Sequence, residues 1–458
     1  MEDLKKKETS VDDAAKVQSA EQAKGTPETD AKPIDPDYPL THVPKSARRS
    51  FFSVAAVLLG ITFFSPTMNT GAQIAAAFTF KDLIWISLVG NLILGVYVAA
   101  NCAIGAKTGL TSAMLSRYTL GTIGSKWVSF LLGGTQIGWY AYVSSYVGQM
   151  FAVAFNVPQH AIWFTLFWAL VFGVTALWGY EAIEKVAIVA VPALLILVIY
   201  IPIVASQSAG GFSALFNVMP TEEMSVATAL TAIMGTFASM GTQACNWSRF
   251  SKSARAGFWS GFVAFMIGNT IMLAAGVVGG LAYNESDFVV IMMSMGAVVT
   301  VLALIILTLN IWTTAHAGAY AWGVAGAEMF NKPNKTPFLI GGLIISIVLA
   351  MTGIYAQLIN FLVLLGIFIP PIGGVMLGDY LFTYKRSLPR LEHIRFKAIR
   401  VGPVVSYVLG TVVAFITDRF HVGVPPLFGI IVAAVCVPIF NALLPNDRHI
   451  VAENAEYV

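Results

Sequence analysis

The stretch Phe51–Ala76 is apolar and uncharged, and as a helix it is long enough to cross a hydrocarbon core of about 30 Å. Pro66 stands inside this stretch. Because proline has no N–H to donate and clashes with the carbonyl one turn earlier, we expect the helix to break near Phe63 and Phe64. Carbonyls freed at membrane depth are tolerated only where protein buries them or where they line a cavity. The stretch therefore predicts a broken helix of the kind that holds ions and substrates in secondary transporters, with a simple proline kink as the alternative.

The composition indicates an integral membrane protein. Hydrophobic residues make up 57% of the chain and charged residues only 11%, whereas a soluble protein carries about 25% charged residues. Cys102, Cys245 and Cys436 lie in apolar segments without a CxxC pattern, which indicates packing and not a metal site or a disulfide. With no HExxH motif either, we expect neither an enzyme nor a cofactor.

Hydropathy predicts an all-α polytopic membrane protein with about twelve transmembrane helices joined by short loops. The predicted spans are 51–76, 83–104, 127–154, 161–179, 184–205, 226–249, 257–282, 292–324, 337–353, 355–380, 402–418 and 424–444. With the N-terminus in the cytoplasm, lysine and arginine after residue 40 collect in the cytoplasmic loops, and only Lys81 and Arg419 fall on the other side. This bias predicts a multi-pass protein of the cell membrane with both termini cytoplasmic.

The first and sixth spans share a pattern of interruption. Gly60–Ser65 reads GITFFS and Gly235–Gly241 reads GTFASMG, and each interrupts an apolar helix with glycine, serine and phenylalanine. Five spans separate the two segments, so the second enters the membrane from the opposite face. Such paired interruptions point to a transporter binding site between two inverted five-helix repeats, with two peripheral helices left over.

These observations divide the chain into five predicted parts. Residues 1–40 are charged and polar, with hardly an aromatic residue, and are typical of disorder. The five parts are a disordered cytoplasmic tail (1–40), a ten-helix inverted-repeat transport core (41–380), a basic cytoplasmic loop (381–401), two C-terminal transmembrane helices (402–444) and a cytoplasmic tail (445–458).

Two helical faces carry polar groups suited to binding. Gln136 and Trp139 are three residues apart, so an amide and an indole share one face. Asn310, Thr313 and Thr314 share another face and offer three neutral oxygens, which suit a singly charged hard ion. Together with free carbonyls of the broken first helix, these oxygens predict a sodium site. The alternatives are helix–helix contacts for Gln136 and hydroxyls bonded back to their own helix for the threonines.

Ionisable groups are scarce inside the predicted spans. The acidic residues fall in loops or near span ends, whereas proton-driven transporters usually keep a carboxylate at a helix centre. His316, one turn beyond Thr313, is the one ionisable side chain expected within the bundle, where we expect it to be neutral and hydrogen-bonded. This pattern favours sodium over protons as the coupling ion.

Five short motifs, in the order in which they follow one another along the chain, resemble those of the cytosine permeases of the nucleobase:cation symporter family. The resemblance covers about residues 39–446. They are GITFFS at Gly60–Ser65, IGAKTGLT at Ile104–Thr111, GGTQIGW at Gly133–Trp139, LNIWTT at Leu309–Thr314 and PPIGG at Pro370–Gly374. The resemblance implies two inverted five-helix repeats with broken first and sixth helices, two peripheral helices, and sodium-coupled import of a nucleobase. The implied partners are a small nucleobase, sodium and the lipid bilayer, without nucleic acid; the oligomeric state is open and a monomer fits.

The resemblance also assigns site residues. It implies a base stacked between Trp139 and Phe237, closed over by Phe64. It implies hydrogen bonds to the base from Gln136, Ser239 and Asn310. Sodium would be held by the carbonyls of Gly60 and Phe63 with the side chains of Asn310, Thr313 and Thr314.

Two departures from the family pattern bear on specificity. Ala315-His316-Ala317 follows Thr314 where the family typically has Asn-Asp-Asn, and Gln243–Asn246 (QACN) replaces an apolar-acidic pattern. The ring could therefore be another base or a related heterocycle. The alternative function is a proton-coupled permease for purines, allantoin or hydantoins.

Overall fold

The computed structural model describes residues 41–177, 181–330, 332 and 334–458. The predicted disordered tail, 1–40, lies outside the described residues. The described part is mostly helical, as the sequence predicts. In this part seven helices are long and apolar enough to cross a membrane, and a pair bent by 58° makes an eighth.

The helices are numbered here in chain order. They are α1 (Phe51–Thr62), α2 (Pro66–Ala75), α3 (Phe80–Thr108), α4 (Ser112–Ala154), α5 (Ala161–Leu177), α6 (Glu181–Ser208), α7 (Val226–Thr236), α8 (Ala238–Thr242), α9 (Cys245–Ser248), α10 (Ala254–Val263), α11 (Asn269–Tyr283), α12 (Phe288–Ser294), α13 (Ala297–Met329), α14 (Thr336–Met351), α15 (Leu358–Phe368), α16 (Pro370–Gly378), α17 (Val401–Arg419) and α18 (Pro425–Leu443). One π-helical turn, Ala264–Gly268, joins α10 to α11, and another, Asp379–Thr383, follows α16. Two short strands, β1 (Ile394–Arg395) and β2 (Ile450–Val451), pair antiparallel.

The first predicted span is broken where the sequence predicts it. Phe63 caps the end of α1 with ψ 76°, outside the helical region, and α2 restarts with Pro66 at its first position. Proline is favoured there because the first N–H groups of a helix have no partner within it. The two halves meet at 58°. The break therefore follows from proline chemistry, and it lies among buried residues.

The sixth predicted span is broken as well. Its first half, α7, ends at Phe237, whose φ of −130° and ψ of 20° interrupt the helical backbone. Two short helices, α8 and α9, continue the span in place of one regular helix. Gly235 lies in the last turn before this break, where a Cβ would collide with the carbonyl of Leu362 in α15. Glycine at this position lets α7 and α15 pack backbone to backbone.

Other boundaries differ from the sequence prediction. The third span, predicted from residue 127, continues an α-helix that starts at Ser112 and is kinked at Gly121 (φ 86°). A side chain at this φ would be strained, and its Cβ would meet the carbonyls of Lys397 and Ala398. The eighth predicted span is split into α12 and the longer α13. Hydropathy alone finds apolar length and does not detect these kinks and short helices.

The helices pack in two groups. In the first, α2 packs on α11, and α3 packs on α7 and α10. In the second, α4 packs on α5, α13 and α14. A Cβ at Gly276 would collide with the carbonyl of Met68, and one at Gly71 with that of Leu273, so α2 and α11 need glycine to approach this closely. Both helix breaks belong to the first group and face α4 and α13 of the second.

A buried ion pair fastens the C-terminal helices to α16. Arg400 is 1% exposed and binds both carboxylate oxygens of Asp379, at 2.6 and 3.1 Å. The same guanidinium donates to Asn441 of α18 and to the carbonyls of Tyr118 and Asp447. All of these partners are acceptors, so the buried charge is compensated on every side. The loop between Asp379 and Arg400 and the chain after residue 444 are thereby joined, and β1 pairs with β2 beside them.

Candidate functional site

A cavity lies between the two helix breaks and the facing helices α4 and α13. Phe64 from the first break and Phe237 and Ser239 from the second line it. Gln136 and Trp139 of α4 line it as well. The remaining lining residues are Ile61, Tyr140, Val143, Thr236, Met240, Thr314, Ala315 and Gly318. The fold thus brings five of the six predicted substrate residues to one cavity from three separate stretches of sequence.

Three aromatic rings meet at this cavity. The Phe64 ring lies 5.2 Å from the Trp139 ring at 74° and 6.1 Å from the Phe237 ring at 66°. Edge-to-face contacts of this kind are favourable between aromatic rings. Phe64 therefore contacts both of the rings that the resemblance assigns to stacking. Trp139 is also held edge-on by Phe361 at 5.2 Å.

The polar side of the cavity centres on Ser239. Its hydroxyl lies 2.8 Å from Thr135 Oγ1, and Gln136 Nε2 approaches it at 3.4 Å. Gln243 Nε2 approaches the same oxygen at 3.2 Å. Neither Thr135 nor Gln243 is among the residues predicted from sequence. The available signal was position: Thr135 is next to Gln136, and Gln243 follows Ser239 by one helical turn.

Asn310 lies beside the first break and does not line the cavity. Its side-chain N–H donates to the carbonyl of Phe63 at 2.9 Å. Its side-chain oxygen accepts from the N–H and the hydroxyl of Ser65, at 3.3 and 3.2 Å. The residue is 3% exposed, so its amide satisfies polar groups that the broken helix leaves without helical partners.

The two threonines predicted to bind sodium lie next to Asn310 on α13. Thr313 and Thr314 both donate their hydroxyls to the Asn310 carbonyl, at 2.8 and 3.1 Å. Each hydroxyl oxygen keeps lone pairs that can face an ion. Gly60 is the third residue from the end of α1, and a Cβ added to it would meet no atom within 4 Å, so the space beside it is open. Among the five predicted sodium ligands, Asn310 contacts Phe63, Thr313 and Thr314.

His316 takes part in a polar contact between α13 and α5. Trp312 Nε1 lies 3.2 Å from His316 Nε2 and 3.0 Å from Thr175 Oγ1. Because an indole N–H only donates, the imidazole nitrogen that faces it must accept, and the ring in this arrangement is neutral. The Thr175 hydroxyl is 2.6 Å from the same nitrogen. His316 therefore acts as a hydrogen-bonding contact between two helices, away from the cavity lining.

Carboxylates are absent from the lining as far as the described residues go. Within those residues no three His, Cys, Asp or Glu side chains come together in a way that could hold a metal ion. Asp379 is buried, but both of its oxygens bind Arg400. The cavity is thus an aromatic slot with neutral hydrogen-bonding groups, which suits an uncharged, flat, polar ring.

Comparisons with known proteins give matches over most of the chain. Residues 42–437 match the profile of a family described as permeases for cytosine/purines, uracil, thiamine and allantoin. The cytosine permease of Escherichia coli strain K12 is 32% identical over 406 residues, which is 88% of this chain and 93% of the relative.

Two solved structures share the fold. The inward-facing conformation of Mhp1 superposes with a TM-score of 0.76 at 15% identity, covering 89% of this chain and 93% of that one. Mhp1, a nucleobase-cation-symport-1 family transporter, in a closed conformation with bromovinylhydantoin bound gives 0.68 at 16% identity, covering 89% and 96%. The fold is therefore that of this transporter class. With a profile match over most of its length and a relative at 32% identity, the chain belongs to the family of permeases for cytosine/purines, uracil, thiamine and allantoin.

Proposed function

We propose that this permease is a secondary active transporter that imports a nucleobase, with cytosine as the preferred base, by sodium symport through alternating access. The observation that carries the proposal is the cavity at the two helix breaks, where Phe64 contacts both Trp139 and Phe237 and Gln136 contacts Ser239. Aromatic faces bind a flat ring, and an amide reads the donors and acceptors on its edge. A base of this kind would have to displace Phe64 or enter beside it.

Sodium is the coupling ion in this proposal. Phe63, Asn310, Thr313 and Thr314 supply neutral oxygens within one region, and the Gly60 carbonyl would complete the set. To bind an ion, Asn310 would turn its amide so that the oxygen replaces the N–H now directed at Phe63. The neutral His316 and the lining without a described carboxylate support sodium over protons. Binding of both solutes beside the same broken helix gives a direct route for coupling, because each stabilises one arrangement of that helix.

The membrane orientation follows from the charges. Lysine and arginine collect in alternate loops and in the segments that flank β1 and β2, so we place both termini in the cytoplasm. Substrate would then enter from outside and leave into the cytoplasm. We propose a monomer as the transport unit.

Uptake into proteoliposomes tests the proposal. Purified protein would be reconstituted and labelled cytosine uptake measured with an inward sodium gradient, with choline in place of sodium, and with a pH gradient in choline. We expect uptake that requires sodium and that unlabelled cytosine suppresses more strongly than purines or hydantoins. Equal uptake in choline under a pH gradient would show that the coupling ion is the proton and not sodium. Stronger competition by allantoin or a hydantoin would show that cytosine is not the preferred substrate.

A further inference from the structure

Three separate stretches of sequence meet where α1 and α10 begin and α3 ends, at one end of the first helix group. The Val43 N–H donates to the carbonyl of Gly109, the residue that follows α3, at 3.0 Å. The Arg49 N–H donates to the Phe250 carbonyl, and the Arg49 carbonyl accepts from the Lys252 N–H at 3.2 Å. The segment before α1 is therefore fastened by its backbone to the end of α3 and to the loop before α10.

This junction gathers positive charge. The Arg48 guanidinium donates to the carbonyl of Ala106 at 2.6 Å and to that of Ser251 at 3.4 Å, and neither acceptor carries a charge. Five further cations around the junction are exposed: Lys45, Arg49, Lys107, Lys252 and Arg255. Among the described residues, none of these five side chains has a partner in an ion pair or a hydrogen bond. Arg48 and these five residues form the basic patch.

No acidic residue accompanies the basic patch in the stretches that build it. Residues 41–62, 101–111 and 245–263 contain lysine and arginine but neither aspartate nor glutamate. The preference of lysine and arginine for cytoplasmic loops explains the cations, but it does not explain the missing acids, because acidic residues contribute little to topology.

The basic segment around β1 and β2 is built differently. There Arg390 pairs with Glu456 at 3.2 Å, and Lys397 pairs with Asp447 at 3.5 Å. This chain therefore places acids beside one basic region and leaves them out of the other. The charge of the basic patch is left without a described acidic partner, and charge complementarity indicates an anion as its ligand.

Exposed aromatic side chains follow the basic patch along both helices. Phe52, three residues after Arg49, is 80% exposed, and Trp259, one helical turn after Arg255, is 46% exposed. The two helices that carry them, α1 and α10, pack on each other. A phospholipid presents the same order of chemistry, a charged head group followed by apolar chains, and aromatic side chains are typical of the level where the two meet. A free anion such as phosphate offers nothing for the aromatic side chains to contact.

We propose that the basic patch binds the head group of an anionic phospholipid, with Phe52 and Trp259 against its acyl chains. The inference goes beyond the proposed function, because it depends on neither the substrate nor the coupling ion. In the proposed orientation the patch faces the cytoplasm, where anionic head groups attract basic segments that lie close to the membrane. The lipid would hold this end of the group that carries both helix breaks at the membrane surface.

Lipid binding to the purified protein tests the inference. Native mass spectrometry would give dissociation constants for phosphatidylglycerol and phosphatidylcholine with identical acyl chains, so that the two lipids differ only in the head group. We expect phosphatidylglycerol to bind the wild type more tightly. Lys252→Gln combined with Arg255→Gln removes two charges of the patch and should weaken phosphatidylglycerol binding on the order of twentyfold, with phosphatidylcholine binding unchanged.

Lys385→Gln combined with Arg395→Gln is the matched control. Both side chains are exposed, and they lie in the loop that also carries Glu392. The control loses the same two charges outside the basic patch, so its phosphatidylglycerol binding should equal that of the wild type. The melting temperature in phosphatidylcholine should be the same in both double variants and the wild type, because all four side chains are exposed. Weaker binding in the patch variant alone would then not be a loss of folding.

Two further measurements distinguish a lipid from a free anion. Phe52→Ala combined with Trp259→Ala should weaken binding of both lipids, because it removes contacts with the acyl chains. Inorganic phosphate should not displace phosphatidylglycerol, and displacement at equal concentration would show that the patch is a site for a free anion.

The inference is wrong if the wild type binds both lipids equally, or if the variant of Lys252 and Arg255 keeps the preference of the wild type for phosphatidylglycerol. None of these measurements involves transport, so the proposed function is tested separately.

Discussion

Asn310 donates its side-chain N–H to the backbone carbonyl of Phe63 across 2.9 Å, which joins α13 to the break of the first span. The two residues are far apart in sequence, and each belongs to a different helix group. A solute that binds this carbonyl must displace or reorient the Asn310 amide. In the proposed function, ion binding at this contact would therefore change the hydrogen bond that joins the two helix groups.

Thr314→Ala tests the proposed sodium site. The variant removes one of about five oxygens and leaves the helix intact, so we expect the sodium concentration for half-maximal uptake to rise roughly tenfold. Thr411→Ala is the matched control, because Thr411 makes the same bond to a carbonyl of its own helix in α17, remote from the cavity. Unchanged sodium dependence in Thr314→Ala would contradict the assignment.

Trp139→Ala tests the proposed stacking surface. Stacking of a base on an aromatic side chain contributes about 1–3 kcal/mol in nucleic-acid-binding proteins, so cytosine affinity should fall by roughly tenfold or more. Trp139→Phe should retain part of the affinity, since phenylalanine keeps an aromatic face. Trp163→Ala serves as the control, because Trp163 is 65% exposed and away from the cavity. Normal affinity with a reduced yield of folded Trp139→Ala would show that Trp139 only packs.

Asp379→Asn tests the buried ion pair. The variant leaves the Arg400 charge buried without its counter-ion, and breaking such a pair costs about 3–5 kcal/mol. We expect a large loss of thermal stability in detergent. Glu456→Gln is the control, because Glu456 and Arg390 form an ion pair with exposed side chains, 3.2 Å apart, which contributes about 1 kcal/mol or less. Equal shifts in both variants would refute this distinction.

His449 gives the stability of the segment around β1 and β2 a pH dependence. Its Nδ1 accepts from the N–H of Lys397 at 3.0 Å and its Nε2 donates to the carbonyl of Tyr118 at 2.8 Å, so the bonded ring is neutral. Burial lowers the pKa of His449, helped by the nearby Arg400 charge. The stabilisation is complete above the ordinary pKa of about 6.5 and is lost as pH falls below it towards the depressed folded-state pKa.

Hydrogen exchange at two pH values measures this effect. After correction for intrinsic rates, amides of residues 449–458 should open more readily at pH 5.5 than at pH 7.5 in the wild type. His449→Gln keeps a polar side chain and cannot titrate in this range, so it should lose most of the difference. The same difference in both proteins would show that another group titrates.

The sequence by itself determined the helices and the first break. Apolar runs of spanning length force helices in lipid, because every backbone group has to be paired within its own segment. Pro66 places the break through its missing N–H and its clash with the preceding turn, both of which act locally. Gln136 and Trp139 were found for a similar reason, since residues three apart in a helix share a face.

Only the tertiary structure decided which side chains meet. The sequence predicts that Arg400 is a cation in a loop and that Asp379 is an acid near the end of a span. Their burial depends on how α16, α17 and α18 pack. In the sequence, Gln243 is only part of a departure from the family pattern. The structure places its amide against the Ser239 hydroxyl, which Thr135 and Gln136 of α4 also contact. A hydrogen bond needs atoms within about 3 Å in the right direction, and no local pattern specifies that for residues a hundred positions apart. The sequence therefore determined the helical spans and the breaks of the first and sixth, whereas the packing of those helices decided the site.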